Sequence, residues 1–276
     1  MKILNHTLCQ DDGEPFPFVA TPNRGDKLEH KYLVIHFTAG RSAESSIKWL
    51  ANPRANASAH IVIARDGSIT QMVRFDRVAW HAGRSSWQGD VGLNQYSIGI
   101  ELDNAGRMER VGGHWRAWFQ EEFPDEEVLE AVHKNETVLS GWHTYTPEQI
   151  DAAIELSSVL VEKYELLDVL GHDDISPGRK TDPGPAFPMA NFRARVLGRA
   201  DDVEEILVTT TGLNIRTGPG TENPTLEGSP LPEGTQVVVM GSQGNWRLVT
   251  VLDTVHDVMD LEGWVHGRYL KLAELP

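Results

Sequence analysis

The chain changes rhythm several times, and each change of hydrophobic pattern marks an element. Residues 5–30 are polar and rich in proline, with Glu14-Pro15-Phe16-Pro17-Phe18 at their centre, and predict an extended lead-in. The apolar run Tyr32-Leu33-Val34-Ile35 then reads as a buried strand that ends at His36-Phe37, before the turn Thr38-Ala39-Gly40. Ser42 is placed to cap an amphipathic helix through Leu50, with Ile47, Trp49 and Leu50 available to pack, and Asn52-Pro53 ends it. Two further apolar runs, 59–64 and 69–73, meet through Asp66-Gly67, a dipeptide that favours a tight hairpin turn.

Ser97–Leu102 is another short apolar strand, and it carries a carboxylate, Glu101, inside it. Residues 107–145 form a Gly-, Trp- and charge-rich excursion. Its histidines, His114, His133 and His143, lack regular spacing and read as surface or packing residues. Its tryptophans, Trp115, Trp118 and Trp142, suit either the wall of a cleft or the packing of a loop core. Thr146-Pro147-Glu148-Gln149 has the grammar of a helix start, and Ile150, Ile154, Val159, Leu160 and Tyr164 recur at near-helical spacing after it. Val169-Leu170 leads into a loop at 171–185, and Phe192–Leu197 predicts one last helix.

Asp201-Asp202-Val203-Glu204-Glu205 reads as an acidic joint. Beyond it the pattern shifts to short strands at 206–209, 235–240, 246–251 and 263–265, separated by Gly, Pro and Asn turns, with 253–262 as a longer acidic loop. That is the pattern of a small β barrel.

Length and composition narrow the function. At 276 residues the chain can hold one large domain and a small one, and 40% hydrophobic content supports a real core. The formal net charge of −15 argues against a partner chosen by phosphate attraction, so neither nucleic acid nor an anionic membrane is expected. The single cysteine, Cys9, excludes an intrachain disulfide and reads as a bystander thiol. The opening Met1-Lys2-Ile3-Leu4-Asn5-His6 has no continuous apolar segment of a secretory leader, and no stretch is long enough for a spanning helix. A cytoplasmic location is the default expectation, with secretion or delivery to the cell wall as the alternative.

Candidate chemistry concentrates in Gly171-His172-Asp173-Asp174-Ile175-Ser176-Pro177-Gly178-Arg179-Lys180-Thr181-Asp182-Pro183-Gly184-Pro185. A catalytic zinc takes imidazole nitrogens and carboxylate oxygens and keeps one position open. His172 and Asp182 offer two ligands, and His36, at the end of a rigid strand, is the best third. Glu101 sits among Ile98, Ile100 and Leu102, a costly place for a carboxylate without a partner or a task. It reads either as a salt-bridged core glutamate or as a general base. By alternation it shares a face with Gly99, which leaves room above that face for water or substrate. Lys180 lies two residues from Asp182, on the same side of an extended segment, where an ammonium can stabilise an oxyanion. His60, Trp80 and His81 are candidates for substrate contact, although alternation along its strand favours a packed, hydrogen-bonded role for His60.

Five segments in order resemble the type 2, AmpD-like zinc N-acetylmuramoyl-L-alanine amidases, relatives of T7-type phage lysozymes and peptidoglycan recognition proteins. They are the strand ending in His36, Ser58-Ala59-His60 with Arg65-Asp66-Gly67, Ala79-Trp80-His81-Ala82-Gly83, Ser97-Ile98-Gly99-Ile100-Glu101-Leu102, and the loop 171–185. The resemblance spans about 30–190. It implies His36, His172 and Asp182 as ligands of one zinc, Glu101 and Lys180 as catalytic groups, and peptidoglycan or a muropeptide as substrate. The bond cleaved is then the amide between N-acetylmuramic acid and L-alanine. A non-catalytic peptidoglycan-binding protein and a zinc peptidase acting within the stem peptide are the alternatives. Gly212-Leu213-Asn214-Ile215-Arg216-Thr217-Gly218-Pro219-Gly220, with Gly244-Asn245-Trp246 and Gly263-Trp264-Val265, resembles bacterial SH3-like domains, which implies a module that binds cell-wall peptide. Pattern and resemblance together predict an α/β (α+β) catalytic domain over 1–200, with its core at about 30–197 and a mixed central sheet flanked by helices. An acidic linker at 201–205 and an all-β SH3-like barrel over 206–276 follow.

Overall fold

A computed structural model describes residues 1–197, 206–256, 258 and 261–273. The acidic joint at 201–205 lies outside the described residues. The chain falls into two units, 1–202 and 203–276.

The first unit begins with strands β1 (Lys2–Leu4) and β2 (Thr7–Cys9), paired antiparallel. The stretch read as an extended lead-in thus contributes one strand of a paired hairpin. Asn5 and His6 both take positive φ, 49° and 63°, which is what a two-residue hairpin turn demands. Ile3 and Leu8 drop from this hairpin into the main core.

Strand β3 (Tyr32–Phe37) and helix α1 (Ala43–Leu50) follow. Ser42 and Ser45 cap each other reciprocally at the start of α1. Strands β4 (Ile61–Ile63) and β5 (Ile69–Gln71) form the hairpin expected around Asp66-Gly67, and β6 (Ser97–Leu102) lies between β3 and β4.

The excursion is a sheet of its own: β7 (Arg107–Val111), β8 (His114–Ala117), β9 (Glu122–Phe123), β10 (Val128–Val132) and β11 (Leu139–His143), in the order β9-β8-β7-β11-β10 and antiparallel throughout. It has a small core of Ala105, Met108, Trp115, Ala117 and Phe119.

Helix α2 (Pro147–Tyr164) starts at a Thr146/Gln149 capping box and stops at Glu165 in the left-handed region. Strand β12 (Asp168–Gly171) runs straight into the short helix α3 (His172–Ile175), and α4 (Met189–Leu197) ends the described part of the unit.

The central sheet has the order β12-β3-β6-β4-β5, parallel except for β5. It is a mixed sheet flanked by helices, an α+β architecture. Strict alternation sorts its side chains. Leu33, Ile35, Ile98, Ile100, Leu102 and Val169 face the core that α2 and α4 complete with Leu156, Leu160 and Phe192, all buried. Burying each such side chain contributes roughly 1.5–3 kcal/mol. Val34, His36, Gly99 and Glu101 fall on the opposite face. Because β3, β6 and β12 are parallel, their C-terminal ends share one edge, the edge where open sheets of this kind carry their sites.

The second unit has strands β13 (Ile206–Thr209), β14 (Gln236–Gln243), β15 (Trp246–Val251), β16 (Glu262–His266) and β17 (Leu270–Leu272). They form one antiparallel sheet, β16-β15-β14-β13-β17, around a core that includes Leu213, Ile215, Val237, Val249 and Val265. Among the described residues no helix is long and apolar enough to cross a membrane.

Candidate metal and catalytic site

Register builds the site. Glu101 pairs with His36 across β6 and β3, and Gly171 pairs with Ile35 across β12 and β3, so His172 emerges beside His36. The loop then returns Asp182 to the same point. His36 Nδ1 lies 3.0 Å from His172 Nδ1 and 2.9 Å from Asp182 Oδ2, and His172 Nδ1 lies 2.9 Å from the same oxygen. All three residues are buried.

The hydrogen-bond surroundings fix which nitrogens carry protons. A backbone carbonyl can only accept. His81 Nε2–H therefore donates to Ser97 O at 3.1 Å, which leaves His81 Nδ1 as an acceptor for His36 Nε2–H at 2.9 Å. That assigns a bare lone pair to His36 Nδ1. His172 Nε2–H likewise donates to Ala82 O at 3.1 Å, and its Nδ1 is bare as well. Burial, with the neighbouring His172, lowers the His36 pKa to about 4, so the ring stays neutral. Burial works to raise the Asp182 carboxyl, but in acid, where the two imidazoles take up protons and donate to it, their hydrogen bonds and charge outweigh burial and hold it below the usual carboxylate range, so Asp182 is already a carboxylate when the rings become neutral. Two lone pairs and one carboxylate oxygen thus converge with no proton between them, an arrangement that a cation relieves. Tetrahedral zinc with bonds of about 2.0–2.1 Å would set these donors about 3.3 Å apart, so the observed triangle needs only a slight expansion to accept one.

Glu101 stands next to this triangle. One of its oxygens, Oε2, is buried without a hydrogen-bond partner, while the residue as a whole keeps some exposed surface. Burial pushes its pKa well above the ordinary value, and Asp182 adds to the rise. Lys180 works in the opposite direction on Glu101 and adds to the lowering of His36.

The three substrate-contact candidates are each engaged within the protein. His60 is fully buried, its Nδ1 accepting from Gly99 N–H at 3.0 Å and its Nε2–H donating to Arg77 O at 2.9 Å, so neither nitrogen is free for a ligand. Trp80 packs against the main core. His81 is buried and occupied with His36 and Ser97. Its ring fills the space above Gly99 that alternation reserved for water or substrate: a Cβ on Gly99 would lie 2.4 Å from His81 Cγ. In place of lining a groove, His81 orients His36.

Other residues at the site carry no local sequence signal. Tyr145, just before α2, donates its hydroxyl to Pro183 O at 2.8 Å, beside Asp182. Arg179 Nη2 donates to Ala82 O and Arg84 O at 2.9 and 2.8 Å and holds the segment over His172. Trp142 lies under Gly184, where a Cβ would come within 2.9 Å of its ring. The excursion therefore backs the ligand loop.

A buried two-histidine, one-aspartate donor set lies at the carboxyl edge of a mixed sheet with an unpaired glutamate beside it, an arrangement compatible with binding zinc. The chain belongs to the N-acetylmuramoyl-L-alanine amidase family, whose model matches residues 26–185. It is 36% identical over 141 residues to 1,6-anhydro-N-acetylmuramyl-L-alanine amidase AmpD of Citrobacter freundii, covering 50% of this chain and 57% of that one. It is 32% identical over 185 residues to N-acetylmuramoyl-L-alanine amidase AmiD of Escherichia coli, covering 64% and 56%. A solved structure of the latter has a TM-score of 0.45 at 30% identity, covering 62% of this chain and 57% of that one. The chain thus spans a little over half the length of these curated relatives.

Proposed function

We propose that this chain is a zinc-dependent amide hydrolase that cleaves the bond between N-acetylmuramic acid and L-alanine in peptidoglycan or its fragments. The observation that carries the reading is the bare-lone-pair triangle of His36, His172 and Asp182 with Glu101 unpaired beside it.

His36 Nδ1, His172 Nδ1 and Asp182 Oδ2 would hold the zinc. Bound there, it supplies Lewis acidity that activates water and polarises an amide carbonyl. An amide resists hydrolysis because water is a poor nucleophile and the amine a poor leaving group. Glu101 addresses both, taking the proton of the attacking water and later delivering one to the departing nitrogen. Its raised pKa suits a group that must hold a proton between those two events. Lys180, whose charge acts on Glu101 and His36, would stabilise the oxyanion of the tetrahedral intermediate. His81 holds the His36 ring in one orientation and one tautomer.

The domain division that accompanies this reading is a catalytic domain over 1–200, a linker at 201–205 and an SH3-like domain over 206–276. The five-stranded antiparallel second unit supports the last of these. As an SH3-like module it would bind cell-wall peptide and raise effective concentration on a repetitive substrate.

Incubation of the metal-loaded protein with muropeptides, followed by mass spectrometry, tests the activity. Free stem peptide beginning with alanine is the expected product, and its loss in Glu101→Ala ties release to this site. Products cut within the peptide would favour a peptidase. Stoichiometric zinc with no release of any product would favour a binding protein.

A further inference from the structure

Two tryptophans are unusually exposed, Trp118 at 72% and Trp49 at 55%, and both line one groove of about 580 Å³ between α1 and the segment after β8. Glu101 lines the same groove, so it opens onto the reaction centre. Trp118 is exposed yet fixed, because its indole N–H donates to Ala39 O at 2.7 Å. On its far side lies a second groove of about 400 Å³ that reaches Thr181, next to Asp182. Trp118 therefore lines two grooves, one shared with Glu101 and the other with Thr181.

Of the arginines that line the two grooves, only Arg41 has no carboxylate partner among the described residues, and the second groove also carries a carboxylate, Glu109. Arg41 lines the first groove, donates from Nη2 to Phe119 O at 3.0 Å and stacks its guanidinium 5.2 Å from the Phe119 ring centre. In the second groove Arg107 is paired with Glu136 and Arg116 with Glu122. Among the described residues no carboxylate pairs with Arg41, in a chain where 40 acidic residues outnumber 25 basic ones. A guanidinium held in place by a carbonyl and an aromatic face, with donors to spare, is pre-organised for a carboxylate.

We propose that this groove holds the peptide arm of the substrate, with Arg41 pairing a free carboxylate close to the alanine and Trp49 and Trp118 covering the apolar surface between. The assignment rests on the amidase reading, in which the sugar side of the cleaved bond has its only carboxyl locked in the amide and carries no charge. A fixed, unpaired guanidinium in the groove that Glu101 also lines then has one charged arm to recognise, and that arm is an acidic peptide.

The test is titration of the full chain with a γ-linked alanyl-glutamate dipeptide bearing a free α-carboxylate and with its α-carboxamide, followed by tryptophan fluorescence and calorimetry. A charge-assisted pair is expected to make the carboxylate form bind about tenfold or more tightly than the amide. Arg41→Gln should abolish that preference and leave amide binding unchanged, while Trp118→Leu should weaken both forms together. Arg41 is exposed, so the thermal midpoint of Arg41→Gln should match the parent and certify its fold. Equal binding of the two forms by the parent, a preference that survives Arg41→Gln, or no binding of either form would overturn the proposal. Preference for the carboxylate without cleavage of any muropeptide would leave this groove standing and sink the amidase reading instead. On a cleavable muropeptide, Arg41→Gln should raise KM with kcat held.

Discussion

His133 Nε2 donates to Asp173 Oδ2 at 3.0 Å, joining the turn between β10 and β11 to the residue that follows His172. Both side chains are buried. Lys134 Nζ adds bonds to Asp173 Oδ1 at 2.9 Å and Asp174 Oδ1 at 2.6 Å, and the Asn135 side chain donates to Asp173 O at 3.1 Å. A turn of the inserted sheet thereby clamps the start of α3, and with it the ring of His172.

His133→Ala should loosen this clamp. It leaves the buried Asp173 carboxylate without one of its donors, at a cost of about 1–3 kcal/mol. Partners behind metal ligands commonly set affinity by about 10–100-fold, and zinc binding should weaken by that order. Chelator competition measures it. Unchanged zinc affinity in a folded His133→Ala protein would show that the sheet does not position the ligand loop.

Glu101→Met should separate stability from activity. The parent buries a carboxyl oxygen with no partner, which costs folding free energy, and methionine has similar length with nothing to satisfy. The metal-free variant should melt above the metal-free parent. Turnover should fall about 10²–10⁴-fold, the usual contribution of a positioned acid or base. A lower midpoint would mean that Glu101 has a stabilising partner in solution.

The main sheet was legible in the sequence because Tyr32–Phe37 and Ser97–Leu102 are continuous apolar runs, and α2 announced itself through Thr146-Pro147 and Gln149. The donors His36, His172 and Asp182 were legible as residue types at the ends of those elements. The inserted sheet was not read as strands, since its core is small and its outward faces are charged. Gly112-Gly113, both at positive φ between β7 and β8, was the available hairpin signal. The role of His81 was invisible for a different reason. Its partners, His36 and Ser97, are distant or uninformative in sequence, and only the missing Cβ at Gly99 hints that a ring must pass there. The clamp by His133 likewise depends on a contact forty residues away along the chain.

Lys180→Met should change the shape of the pH profile as well as its height. Burial and Asp182 raise the Glu101 pKa, and Lys180 opposes them. Removing the ammonium destabilises the carboxylate and moves the pKa further up. The acidic limb of kcat/KM should therefore shift to higher pH, with a larger relative loss at pH 6 than at pH 8. Loss of the oxyanion contact should add a pH-independent drop of about 10²–10³-fold. A ratio of variant to parent that stays constant across pH would exclude electrostatic coupling between the two residues.

Gly99→Ala tests the tautomer chain without touching any proposed ligand or catalytic group. The new methyl carbon would stand 2.4 Å from His81 Cγ and 2.6 Å from its Nδ1, so the ring must leave. Overpacking of this kind costs about 1–3 kcal/mol, and a lower midpoint by itself would say nothing more. The informative quantity is the gap between the midpoints of the zinc-loaded and chelated forms, which grows with the affinity of the folded state for the ion. With His81 displaced, His36 Nε2–H loses its acceptor, and the ring is no longer held with a bare Nδ1 towards the centre. The gap should shrink. A variant that melts lower in both forms with the gap preserved would show that His36 keeps its orientation without His81, and the relay from Ser97 through His81 to His36 would then be packing alone.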